Sequence, residues 1–330
     1  RQHGYVGALG QLQQLAQGTD VAVLTLGRSA GEGGDRQVTD DFNLRATELT
    51  LLRQVATAFH AQGKKLVVVL NVGGVVEVAS WRPQADALVL AWQPGQEGGH
   101  AIADILSGKV NPSGKLATTF PTAYSDVPYA TEFPGKVKPG AAPALSSFTG
   151  QDSENTYQEG IYVGYRYYDT FGVQPAYEFG YGLSYSTFGY GPLKLSAVSP
   201  AGQLTATLTV TNTGAVAGRE VAQLYLSAPA GNLAKPVREL KGFAKTALLA
   251  PGQSQTLTFP LHPADLASYD PAASAWVAAP GTYTVQVGAS SRLIRQRATF
   301  QLPRQMVVEK SQPLLRPQAP ITELQARQGK

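Results

Sequence analysis

The sequence predicts a chain in two parts: an α/β domain built on a mostly parallel sheet with covering helices, then an all-β sandwich. Three observations carry this. Apolar runs alternate with helical stripes over residues 1–121, a Tyr/Gly/Pro-dense stretch fills 122–185, and short alternating strands broken by turn signals fill 186–303. At about 150 residues per domain, 330 residues suit two domains.

Each element follows from its local pattern. The opening "RQHGYVGALGQLQQLAQGTD" reads as the end of a preceding helical region. Val21–Gly27, "VAVLTLG", is a continuous apolar run, the mark of a strand covered on both faces. From about Leu44 to Gln62, Leu49, Leu52, Ala56 and Phe59 recur at three- and four-residue spacing, giving one helix stripe with Gly63 as terminator. Lys65–Val72 and Ala87–Trp92 read as two further strands, and Gly98–Ser107 as a helix stopped by Gly108. That order implies a mostly parallel sheet. The connector 122–185 carries too many tyrosines for a flexible linker; Tyr165, Arg166, Tyr167 and Tyr168 are expected to pack it in an ordered form. In the third region, Leu204, Ala206, Leu208 and Val210 share one face against threonines, and Tyr283, Val285 and Val287 alternate likewise, as in a β-sandwich of about 100 residues. Residues 304–330, with prolines at 313, 317 and 320, read as an extended tail.

Composition narrows the function classes. Hydrophobic residues make up 43% and charged residues 15%, and no apolar run reaches the 18 residues or more that mark a membrane span. The net charge is +4, but residues 304–330 hold five Lys/Arg against two Asp/Glu, so the basic excess sits on the tail. That argues against nucleic acid as a partner. Cysteine is absent, which removes disulfides and thiolate metal sites. The four histidines show no metal-ligand spacing, so neither a metal nor a cofactor is expected. Met306 is the sole methionine, so Arg1 is not an encoded start, and the chain reads as the C-terminal piece of a longer protein.

The most informative stretch is "GRSAGEGGDR", Gly27–Arg36, which follows the first strand and sets four glycines among two carboxylates and two arginines. A nucleotide-phosphate loop is a poor reading: GxxxxGK[S/T] is absent, Glu32 and Asp35 would repel phosphate, and the next helix begins too late to offer its N-terminus. Two readings remain open from the loop alone. One is a solvated turn; the other places Glu32 as a catalytic carboxyl at the carboxyl end of a strand, where open α/β sheets hold their ligand sites.

Several blocks resemble glycoside hydrolase family three, in its β-glucosidase branch. They are "RSAGEGGDR" with "FNL…LLRQV", "AWQPGQEGGHAIADILSGKVNPSGKLATTFP" (91–121), "EGIYVGYRYYD…FGYGLSYSTF" (159–188), "GREVAQLYLS" (218–227), "PVRELKGFAK" (236–245) and "GTYTVQVGASS" (281–291). The resemblance implies an incomplete α/β sandwich domain over 1–121, an ordered connector, and a fibronectin type III-like β-sandwich over 186–303. It implies an upstream (β/α)8 barrel as partner, carrying the aspartate nucleophile and most sugar-gripping residues. The Glu of the "GEG" element, Glu32, is then the general acid/base of a retaining exo-acting β-glycosidase. The substrate implied is a β-linked oligosaccharide or glycoside, in a periplasmic or secreted setting.

Retaining hydrolysis explains why one loop brings one carboxyl group, since two must stand about 5–5.5 Å apart across the scissile bond. Weaker candidates for substrate contact are Ser29, Arg36 and Trp92. Local pairing of Arg36 with Asp35 and packing of Trp92 are the plainer readings. Asp40 and Asp41 are alternative acids that read better as solvated turn positions, and Glu97 as a response to the helix dipole. Tyr269 and Trp276 read as sandwich packing or as an aromatic platform. The rival functions are a β-xylosidase or arabinofuranosidase of the same chemistry, and a non-catalytic carbohydrate-binding or scaffold protein on the same fold.

Overall fold

The computed structural model describes residues 9–28, 36–133, 135–143, 150–314, 317 and 319–326. The chain divides into two compact units, residues 1–107 with 120–155, and 108–119 with 156–330.

The first unit is built on a parallel sheet. Helix α1 (Leu9–Gly18), strand β1 (Val21–Gly27), helix α2 (Ala46–His60), strand β2 (Lys65–Asn71), strand β3 (Ala87–Leu90) and helix α3 (Gly98–Leu106) follow in order. The three strands pair β1-β2-β3, all parallel. The stripe read in the sequence is the buried face of α2, with Leu52, Ala56 and Phe59 joined by Val55 and Ala58. Gly63 and Gly108 take positive φ values of 67° and 76° just past their helices, a backbone setting that favours glycine. One expectation is corrected: β1 is not covered on both faces. It is an edge strand whose burial alternates, leaving Val21 and Val23 46% and 51% exposed among the described residues. Between β2 and β3, Trp81 is fully buried and donates its indole N–H to the Glu77 carbonyl at 2.7 Å. Strands β4 (Lys136–Val137) and β5 (Ser153–Glu154) form a short antiparallel ladder in the segment after 121, which also holds the single 3-10 turns Tyr124–Asp126 and Ala130–Glu132.

The second unit is a β-sandwich with its own aromatic annex. Helix α4 (Tyr165–Thr170) precedes strands β6 (Phe188–Tyr190), β7 (Lys194–Leu195), β8 (Leu204–Asn212), β9 (Val221–Ser227), β10 (Glu239–Lys245) and β11 (Ser254–Leu261). After the short helix α5 (Pro263–Leu266) come β12 (Ser268–Asp270), β13 (Ala275–Ala278), β14 (Gly281–Gly288), β15 (Ile294–Leu302) and β16 (Met306–Lys310). One sheet runs β10-β9-β14-β15 and the other β11-β8-β6 with β7 also on β8. Their inner faces, including Leu208, Val210, Leu224, Val285 and Phe300, form one core, as the alternation in β8 and β14 requires. Tyrosines order the segment from 156 to 185. Tyr162 and Tyr168 are buried, and Tyr165 packs on Phe179 and Tyr225 at 4.9 and 5.9 Å.

Three expectations are corrected here. Residues 108–119 belong with this unit, not with the sheet before them. Asn111 Oδ1 accepts from Ser184 Oγ and Tyr185 N, both at 2.8 Å, and Lys115 pairs with Glu220 at 3.1 Å. The tail, expected from 304, begins as strand β16, because Met306 and Val308 pack against the core while the backbone pairs with β13. Tyr269 and Trp276 are not sandwich packing: they oppose each other on the third sheet, β12-β13-β16, and are 38% and 42% exposed. Among the described residues, no helix is long and apolar enough to cross a membrane.

Candidate active site

The carboxyl ends of β1, β2 and β3 lie along one edge of the first unit's sheet, where open parallel sheets place ligand sites. The loop after β1 is the glycine-rich stretch. Glu32 and Ser29 lie outside the described residues, as does Asp35. The residues on either side of them, Arg28 and Arg36, are described, and both are held in ion pairs.

Arg28 leaves β1 with its N–H donated to the Asn71 carbonyl at 3.1 Å, which continues the β1–β2 register. Its side chain is 6% exposed and faces the first turn of α2. There Nη1 and Nη2 donate to Glu48 Oε1 and Oε2, each at 2.8 Å. The planar fork matches a carboxylate's two oxygens. Glu48 also accepts the Arg45 N–H at 2.9 Å, so one carboxylate both caps the helix and fixes Arg28. Arg28 Nε donates to the Asp41 carbonyl at 2.8 Å.

Arg36 approaches Asp41 from the other side. Its Nη2 donates to Asp41 Oδ1 at 2.7 Å and its Nε reaches both carboxylate oxygens at 3.0 and 3.1 Å. Nη1 donates to the Val75 carbonyl, 2.7 Å away. The loop after β2 makes room for this group through Gly74, where a Cβ would stand 2.6 Å from Arg36 Nη1. The described partner of Arg36 is therefore Asp41; Asp35, the partner read from the sequence, lies outside the described residues. Its guanidinium is committed to protein acceptors.

Asp41 is not the solvated turn residue that its sequence setting predicts. It sits in a wide turn, Val38–Phe42, closed by Phe42 N–H to Gln37 O and Asn43 N–H to Val38 O at 3.0 and 2.9 Å. Asp40, exposed at φ 63°, supplies the left-handed step that turns Asp41 inward. The hydrogen bonds from Arg36 hold the Asp41 carboxyl below the usual carboxylate range. Such an anion, held by Arg36, is a poor proton donor.

The loop after β3 holds Trp92 at φ 53°, a strained value for a bulky residue and of the kind that gathers at functional sites. Trp92 is half-buried and packs on Phe120 with ring centroids 6.1 Å apart. Just beyond it lies a cavity of about 410 Å³, lined by Asn71, Gln93, Pro94, Gly95 and the first turn of α3 at Gly98 and Gly99. Gly98 lets Pro94 pack on the helix start, since a Cβ there would lie 2.5 Å from Pro94 Cγ. Glu97, at that start, pairs in the open with His100 at 2.6 Å. The sheet edge thus gathers Arg36 and Trp92 on two of its loops, each against its own packing partner. Sequence reading passed over Arg28, Glu48, Gly74 and Asn71. Only the position of Arg28, directly after a strand, and of Glu48, the third residue of a helix, signalled them. Among the described residues, no group of three His, Asp or Glu side chains gathers to hold a metal ion.

Residues 8–165 match the glycosyl hydrolase family 3 C-terminal domain and residues 220–291 the fibronectin type III-like domain. The chain belongs to glycoside hydrolase family 3. It is 37% identical to beta-glucosidase A of Butyrivibrio fibrisolvens over 90% of this chain and 39% of that protein. It is 38% identical to an exo-alpha-(1->6)-L-arabinopyranosidase of Bifidobacterium breve over 88% of this chain and 35% of that protein. Among solved structures, beta-glucosidase 3B of Thermotoga neapolitana in complex with glucose superposes with a TM-score of 0.84 and 46% identity, covering 92% of this chain and 40% of that one. The chain therefore spans roughly two fifths of the length of the relatives it matches.

Proposed function

We propose that this chain supplies the general acid/base, Glu32, to a retaining exo-acting β-glycosidase, a β-glucosidase that removes terminal β-D-glucosyl residues. The observation that carries the proposal is the place of the "GEGGDR" stretch. It follows β1 in the sequence, in a chain 46% identical to a beta-glucosidase solved with glucose. The nucleophile is assigned to residues outside these 330, on the barrel that the family resemblance implies.

In that reading the reaction runs in two displacements. The nucleophilic carboxylate attacks the anomeric carbon while Glu32, protonated, gives its proton to the leaving glycosidic oxygen. Glu32, now ionised, takes a proton from water as that water attacks the glycosyl ester from the face the leaving group vacated. A nearby carboxylate anion raises the acid's pKa for the first step, and esterifying that anion lowers it for the second. A periplasmic or secreted location belongs to the same proposal.

The arabinopyranosidase relative favours a second reading of the sugar alone, a pentosidase with the same chemistry. The test is Glu32→Ala in the active enzyme, where this chain is joined to the nucleophile. Cleavage of an unactivated glucoside such as cellobiose should fall about 10²–10⁴-fold, while a dinitrophenyl glucoside, whose leaving group needs no proton, should still glycosylate the enzyme. Equal losses on both substrates would refute the assignment, and unchanged activity would favour a structural role for the loop.

A further inference from the structure

Resting on the glycosidase reading for its choice of sugar, we infer that the cavity beyond β2 and β3 binds a neutral saccharide unit through the carboxamides of Asn71 and Gln93. The cavity measures about 410 Å³, inside the range of about 300–1,000 Å³ usual for small-molecule sites. It opens past the carboxyl ends of two parallel strands, where open α/β sheets bind their ligands.

The local backbone builds it. Asn71 ends β2, and the Ala91 N–H donates to the Leu70 carbonyl at 2.9 Å, which keeps the chain after β3 in register with β2. The left-handed step at Trp92, φ 53°, then ends that register and carries the chain into Gln93 and Pro94. A bulky residue held at positive φ needs its surroundings to enforce it, and such residues gather at ligand sites; Phe120 supplies the packing here. Gly95, at φ 76°, closes the next turn by accepting the Gly98 N–H at 3.2 Å. Helix α3 starts there. Gly98 and Gly99 stand four and three residues before Ile102, so all three share the helix face that walls the cavity.

The lining selects the class of ligand. A carboxamide both donates and accepts, as a sugar hydroxyl does, while Pro94 and Ile102 offer apolar surface to the C–H face of a ring. Among the described residues, none of those lining the cavity is charged. The exposed Glu97 carboxylate at the same helix start disfavours an anion by like charge. Gly99 is a further sign. Its φ is not positive, and a Cβ on it would meet nothing within 4 Å. Neither turn geometry nor packing therefore calls for glycine, which weakens a helix relative to alanine. Left bare, Gly99 keeps the cavity open.

The test is titration of the 330-residue chain with methyl β-D-glucopyranoside, followed by NMR at the side-chain amides of Asn71 and Gln93. Both signals should shift saturably. Methyl β-D-glucuronide, alike in size but anionic, should bind about 10-fold more weakly or less. Gln93→Ala, read at Asn71, should weaken the glucoside about 5- to 10-fold. Gly99→Leu, which fills the cavity, should abolish the shift at Gln93 while the backbone amides of β1, β2 and β3 keep their positions. No saturable shift, or saturation that both variants leave unchanged, overturns the inference; equal binding of the glucuronide overturns the neutral class. Should Gly99→Leu disturb the fold, Gln93→Ala, a change at an exposed residue, decides the matter. The titration needs no turnover, whereas Glu32→Ala in the active enzyme judges the acid assignment, so each claim can fail without the other.

Discussion

Gly180→Ala offers a measure of how tightly the "FGYGLSY" segment is built into the second unit. Gly180 has φ +81°, and a Cβ there would fall inside the Gln223 carboxamide, 2.7 Å from both Cδ and Nε2. That carboxamide is buried and fully engaged. Nε2 donates to the Gly180 and Ala289 carbonyls at 3.1 and 2.8 Å, and Oε1 accepts from Tyr225 Oη at 2.6 Å. A left-handed alanine costs about 1 kcal/mol. Displacing the three hydrogen bonds costs about 1 kcal/mol each, for a total of about 4 kcal/mol. Gly172→Ala separates these contributions, because Gly172 has φ +69° with nothing within 4 Å of its Cβ; it should cost only the first, about 1 kcal/mol. The assay is urea-dependent hydrogen exchange of peptides covering β9 and β14, which reports unfolding of that unit alone. The difference between the two variants should be about 3 kcal/mol, or about 10²-fold in the opening constant. Equal costs would refute the reasoning, since the Gln223 network would then contribute nothing.

Two further predictions concern the first unit and the chain as a whole. The 330-residue chain by itself should not turn over an aryl β-glucoside, because retaining hydrolysis needs a pair of carboxyl groups and the proposal assigns the chain one; clear turnover would contradict the division of labour. Asp86 should contribute a pH-dependent part of the first unit's stability. Lys65 Nζ and the Leu66 N–H donate to it, both at 2.8 Å, and His60 faces it at 2.9 Å. The Lys65 bond above all holds its carboxyl well below the usual range. A depressed folded pKa stabilises at pH above the unfolded value of about 3.9, and that stability is lost as pH falls through the folded one. The unfolding free energies of wild type and Asp86→Asn should therefore differ most above about pH 5, and the gap should narrow steadily as pH falls from about 4 toward 2. A gap as wide at about pH 2 as at about pH 5 would count against it.

What was legible in the sequence depended on range. Strands β1, β2 and β8 and helix α2 were readable because apolar spacing is a local signal that the core then rewards. The end of β16 was hidden by its surroundings, since "MVVEK" is short and stands before prolines at 313, 317 and 320. The exposed face of β1 was misread because a run of Val, Ala and Leu looks alike whether one or both faces are covered. At the candidate site the loop and its glycines were legible, but its ion pairs were not. Arg36 finds Asp41 only because Asp40 adopts a left-handed conformation, and Arg28 meets Glu48 only after β1 and α2 pack. Sequence spacing encodes neither. The need for Gly74 likewise appears only once Arg36 lies over it.

The central claim is that Glu32 is the proton donor, and later the base, of a retaining enzyme. The most direct measurement is chemical rescue of Glu32→Ala in the active enzyme, with the stereochemistry of the product read by NMR. Without the base, the glycosyl-enzyme accumulates, and a small anion that needs no deprotonation can attack in place of water. With a dinitrophenyl glucoside, azide should restore turnover and yield the β-glycosyl azide, the retained configuration reporting two displacements. No rescue and no azide product from Glu32→Ala, with both appearing instead from Asp40→Ala or Asp41→Ala, would show that the acid/base is a different carboxylate.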